Sequence, residues 1–132
     1  MNKLIIDRAK WGCGRHIDEF AGLSSLLNRA GQRCCLGFLG KECGLKDEDA
    51  YARAYPLDVI SLAKWPEALF DKCDSSGKVL LGEGTKGTSW QYFFAHINDN
   101  TLVDDDVREG WIKEGFKAIL DIDVEFVGEF EG

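Results

Sequence analysis

The sequence predicts a single α+β domain with a small, mostly antiparallel sheet, a central Gly/Cys-rich helix, and a C-terminal amphipathic helix followed by a strand. Three observations lead there. The chain has 132 residues, the usual size of one domain, so residues 1–132 are read as a single unit. Its composition is globular: 45% hydrophobic, with 8 Phe, 4 Trp and 3 Tyr. Its two ends carry different periodicities, a strand-like start and a helix–strand close. A chain this long buries roughly two thirds of its unfolded surface, enough for a core without a disulfide or a metal.

Lys3–Asp7, KLIID, is a short strand. RAKWGCGRHIDEF mixes glycine, charge and one Trp, and reads as a loop. SSLLNRAGQRCC reads as an extended piece, a turn about Gly31 and a return. From Cys35 the pattern changes. Leu36, Leu39 and Cys43 take helical spacing, and Gly44 is a C-terminal stop. Gly37, Gly40 and Gly44 share a neighbouring strip. Each costs a helix roughly 1 kcal/mol, so this helix is expected to lie against another backbone, with Cys35 and Cys43 as small buried fillers.

KDEDAYARAY is a second short helix ended by Pro56. PLDVISLAKWPEALFDKCDSSGK is irregular, and GEGTKGTS is a glycine-rich loop. Trp90–Ile97 is an apolar run that fits a strand or a helix. NDNTLVDDD is a turn in which Asp104 and Asp105 can cap the next helix. There Val107, Trp111, Ile112, Phe116 and Ile119 fall at helical spacing, and acids occupy the first turn, where the helix dipole favours them. DIDVEFV alternates strictly, with Ile122, Val124 and Phe126 on one face, as in a half-exposed strand.

The formal charge is −7. That excludes general affinity for a nucleic-acid backbone, which needs clustered Lys and Arg. Apolar runs such as YFFAHI are too short to span a bilayer, so no membrane partner is expected. The start MNKLIIDRAKW lacks a signal peptide's apolar core. With five cysteines, an odd number, the natural reading is free thiols in the cytoplasm.

Several motifs bear on chemistry. Cys13 and His16 form C-x-x-H, but Cys34, Cys35 and Cys43 do not supply the second close pair that zinc needs, so no metal and no other cofactor is expected. RCCLGF resembles in outline the nucleophile helix of the papain-like NlpC cysteine peptidases. In that reading Cys35 is the nucleophile, His96 the base, and Asp99 (or Asn98) the orienting group. Cys34 and Leu36 stand where those enzymes have an acidic and a small residue. Third, GEGTKGTSW offers backbone N–H groups with Lys86, Thr88 and Ser89 beside Trp90, an arrangement suited to phosphate and base contacts. Its lysine precedes the last glycine, so it is not a Walker loop. Trp11 next to Arg15 can stack on a base in the same way.

RCCLGFLGKECGL, INDN, VREGWIKEGF and DVEFV, in this order and at these distances, resemble a family of small proteins encoded by bacteriophages and prophages. The likeness spans most of the chain and is weakest over residues 47–87. It transfers no catalytic or binding residue. It implies a setting: a small acidic protein made in the host cytoplasm during infection. The expected function is then a non-enzymatic inhibitor of a bacterial defence system. It would act either by sequestering a small nucleotide signal through Trp11, Arg15, Lys86, Thr88, Ser89 and Trp90, or by covering a basic surface on a host protein. The alternative is a thiol hydrolase using Cys35, His96 and Asp99. An exposed edge on the C-terminal strand would also allow a homo-oligomer.

Overall fold

A computed structural model of the chain describes residues 2–13, 25–72, 89–100 and 102–130. These form a mixed α+β domain. In chain order come β1 (Lys3–Asp7), a 3₁₀ turn (Arg8–Lys10), α1 (Cys35–Glu42), α2 (Asp47–Ala50) and two 3₁₀ segments (Pro56–Leu62, Glu67–Phe70). Then follow α3 (Trp90–Asp99), α4 (Asp105–Gly115), a π turn (Phe116–Leu120) and β2 (Asp123–Val127).

The sheet has two strands, and they are parallel: Leu4 pairs with Val124 and Ile6 with Phe126. This corrects the antiparallel expectation. Alternation shows that a strand is half-buried, but the connection sets its direction. Here the helices intervene between β1 and β2, and a long helical crossover permits a parallel pair where a short turn would not. The two chain ends do meet in the sheet. Leu4, Ile6 and Val124 are buried on its inner face, against a core that includes Leu36, Leu39, Phe94, Ile97, Ile112 and Phe116.

α1 packs on β1 and α3, and α3 packs on α4. The glycines of α1 mark its tightest approaches. A Cβ at Gly37 would run into the Leu26 carbonyl, with Leu26 C at 2.8 Å, and one at Gly40 would lie 2.5 Å from the Trp65 ring. Another backbone does lie against Gly37, as the glycine strip predicts; at Gly40 the neighbour is an aromatic ring. The turn about Gly31 is closed by Asn28 N–H donating to the Gln32 carbonyl at 2.9 Å.

α4 begins after Asp104, whose side chain makes no capping bond. Asp105 has a different role from the cap expected of it. It accepts from Arg108 Nη1 at 2.7 Å, and that buried guanidinium also donates to the carbonyls of Asn100 and Val103. One arginine therefore satisfies the α3–α4 turn. After the π turn, Asp121 turns the chain into β2 in the left-handed region, at φ 55°. Arg8 forks onto Glu109 of α4 at 2.8 and 2.7 Å and donates to the Gly128 carbonyl at 3.0 Å, tying β1's end to α4 and to the end of β2.

Candidate functional site

Arg15, His16, Lys86 and Thr88 lie outside the described residues. The other residues singled out by sequence are described, and most of them are core. Trp11 is fully buried between Phe126 and Phe130, with ring centroids 4.9 and 5.9 Å away. Trp90 is buried edge-on to Phe93 at 4.9 Å. Neither ring offers a face to a ligand in this arrangement. Ser89 precedes α3, and its Oγ is buried without a hydrogen-bond partner.

Cys35 is completely buried at the first position of α1. Its Sγ lies 3.8 Å from the Phe94 carbonyl of α3. Burial pushes its thiol well above the ordinary value, and the neighbouring Cys34 and Asp99 add to the shift. Burial likewise pushes Cys34 up to about 12. The site is at a helix start, yet desolvation outweighs the dipole, so both thiols stay protonated. His96 is exposed. It sits two residues past Phe94, about 200° around the helix, so its ring leaves on the side away from Cys35. Asp99 accepts from Asn98 Nδ2 at 3.0 Å, whereas the Cys35 thiol turns to the Phe94 carbonyl.

Asn98 is the polar centre of this region. Its Oδ1 accepts from Trp11 Nε1 at 2.7 Å and from Cys35 N–H at 2.9 Å, and its Nδ2 donates to the Gly12 carbonyl at 2.8 Å. One buried amide thus joins the segment after β1, the start of α1 and the end of α3. In the sequence it looks like the opening of a turn, INDN. The clue that a core amide stood there was its place seven residues after Gln91 and one after Ile97, on the buried side of an apolar helix.

The outward-facing candidate is elsewhere. Pro56–Leu62 leaves Leu57, Ile60 and Leu62 exposed at 49%, 46% and 48%. The segment kinks at the buried Val59, whose φ of -133° and ψ of 32° are not helical, so Leu57 stands before the kink and Ile60 and Leu62 after it. Leu57 N–H donates to Gln91 Oε1 at 2.9 Å, which holds the segment on α3. Beside it Tyr55 and the exposed Tyr92 meet edge-on at 4.6 Å. Acids surround this apolar row. Burial first, then Tyr92, Asp99 and Asp58, pushes the Tyr55 phenol up. α2 packs on the same segment and carries Asp47, Glu48 and Asp49. α2 is anchored by the buried Arg33, whose Nη2 donates to Asp47 Oδ1 at 2.7 Å and lowers that carboxyl. Next to Leu62 an open hollow of about 530 Å³ runs past Cys43, Gly44 and Lys64. Sequence reading missed this row because Pro56–Leu62 has neither helical nor strand periodicity; the cue was apolar residues three apart after a proline.

Among the described residues no three His, Cys, Asp or Glu side chains gather as a metal site. None of their helices is long and apolar enough to cross a membrane. Comparison with protein-family models, curated proteins and solved structures gives no match.

Proposed function

We propose that the chain is a phage accessory protein that inhibits a bacterial defence system by binding a host protein. The reading is supported by one observation above all: Leu57, Ile60 and Leu62, with Tyr92, stand exposed in an acidic setting. Exposed apolar side chains grouped within a polar rim mark surfaces that bind proteins. The rim here is Asp58, Asp99 and the acids of α2, on a chain of net charge −7. The complementary partner is a protein surface with an apolar centre and a basic rim, which the acidic field also helps to steer into contact. The buried, protonated thiols supply no nucleophile, and the buried Trp11 and Trp90 supply no stacking platform. Both facts favour this mode over hydrolysis and over nucleotide sequestration.

The test is infection of a host strain that carries a defence system, with and without the chain expressed. The chain should restore plaque formation, and Leu57→Asp and Ile60→Asp should each abolish the effect with the melting temperature unchanged. Restoration that survives both substitutions overturns the reading. So does a nucleotide released by heating the purified protein, if returning it abolishes the protection. Loss of effect in Cys35→Ala at unchanged stability would instead point to the thiol hydrolase.

A further inference from the structure

We propose that two copies of the chain pair through the free edge of β1, forming a closed four-stranded sheet in the order β2–β1–β1–β2. The ladder decides which backbone groups face outward. Asp123 N–H donates to the Asn2 carbonyl at 2.9 Å, at the start of the register that pairs Lys3 with Asp123. In a parallel ladder alternate residues turn their backbone groups to the neighbour. Leu4 and Ile6 therefore bond toward β2, while the N–H and C=O groups of Lys3, Ile5 and Asp7 point to the opposite edge. The sheet ends there. Among the described residues those outward groups make no backbone hydrogen bond. An edge of this kind is a template for another strand.

Side chains choose the partner. Lys3, Ile5 and Asp7 share the outer face, and Ile5 is 54% exposed. An antiparallel pairing of two β1 strands centred on Ile5 sets Ile5 against Ile5 of the second copy and Lys3 against its Asp7, twice by symmetry. All three pairs are of the hydrogen-bonded kind, because the outward groups belong to the same three residues. Opposite charges and an apolar pair directly across are the favourable cross-strand combinations. Lys3 already meets Glu125 of its own chain at 3.0 Å, so its ammonium would sit between two carboxylates. Asp7 uses Oδ1 to cap Ala9 at 3.0 Å, which leaves Oδ2 for the second copy.

The other edge fails the same examination. A symmetric β2–β2 pairing about Glu125 sets the two Glu125 side chains opposite each other in the closer, non-hydrogen-bonded position, where like charges repel. A β1–β2 pairing is head-to-tail and leaves an edge free to propagate. Of these three pairings, β1 on β1 is the one that closes on itself with charges matched. We thus place self-association at the N-terminal strand, where the sequence suggests the C-terminal one.

Light scattering on the eluting protein tests this at high micromolar concentration. The expected mass is twice the 14.7 kDa of one chain. Lys3→Asp faces Asp7 of its copy, and Asp7→Lys faces Lys3, so each variant alone should run as a monomer while keeping a folded circular-dichroism spectrum. Mixed, the two variants match charges across both ends and should recover the dimer, a rescue that a folding defect would not show. Ile5→Lys, which leaves the β1–β2 bonds in place, should also be monomeric. A monomeric wild type, a dimer that all three substitutions leave intact, or a mixture that stays monomeric would each overturn the proposal.

Discussion

Asn98 shows how much one side chain decides here. Its amide satisfies the Trp11 and Cys35 N–H groups and the Gly12 carbonyl, all buried. Asn98→Leu keeps the volume and leaves those three groups without partners. Each orphaned buried group costs about 1–3 kcal/mol, so the variant should lose at least about 3 kcal/mol in urea unfolding. A change below about 1 kcal/mol would mean that water replaces the amide. The neighbouring thiols make a prediction about pH. A Cys in the unfolded chain loses its proton near 9.0, whereas Cys34 in the fold holds its proton up to about 12, and Cys35 is shifted the same way. Between those limits the unfolded state binds fewer protons, so stability is full below the lower value and falls as pH rises. Urea midpoints should therefore hold below about pH 9 and drop as pH rises from there toward about 12, and replacing Cys34 and Cys35 together by Ala should flatten the slope.

At the scale of elements, two glycines in helices should respond in opposite directions to the same change. A Cβ at Gly37 meets the Leu26 backbone, which cannot yield without moving the segment that α1 leans on. A Cβ at Gly110, in α4, meets nothing within 4 Å. Gly110→Ala should then stabilise by about 0.5–1 kcal/mol through helix propensity. Gly37→Ala should destabilise despite the same propensity gain, as thermal melting of the two variants will show. The α1 glycines also illustrate what the sequence could disclose. Their spacing announced close packing, and the strict alternation of Asp121–Val127 announced a half-buried strand, because both signals are local. Trp90–Ile97 stayed ambiguous because Trp90, Phe93, Phe94, Ala95 and Ile97 are all buried; a helix apolar around most of its girth shows no clean period. Strand direction, the core position of Trp11 and Trp90, and the exposed row on Pro56–Leu62 depend on what other segments do in space. None of them has a local signature. An aromatic ring in a loop looks the same whether it stacks on a ligand or, like Trp11, closes the core.

At the scale of the whole molecule, the fold depends on joining its first strand to its last. β2 covers one side of β1, Phe126 and Phe130 pack on Trp11, and Arg8 spans from Glu109 to Gly128. These contacts link residues more than 100 positions apart, so they form only after the intervening helices have brought the ends together, and the cost of closing that long loop must be met by what β2 buries. Two parallel strands do not persist without a hydrophobic face packed on helices; equally, the helices here have β1 and β2 as one wall of their core, since Leu4, Ile6 and Val124 are buried against them. Removing residues 121–132 should therefore do more than fray an end. It uncovers Trp11 and leaves Leu4 and Ile6 without the neighbouring strand. The truncated chain should keep much of its far-ultraviolet circular dichroism, bind a hydrophobic dye, and unfold in urea without a sharp transition. Arg8→Lys, which retains the charge but not the two-armed contact with Glu109, should unfold cooperatively with its stability lowered by about 1–2 kcal/mol. If the truncated chain instead melts as sharply as the full one, the helices form a self-sufficient core and the sheet is an attachment to it. The contrast between the two variants distinguishes a wall of the core from a clasp on its surface.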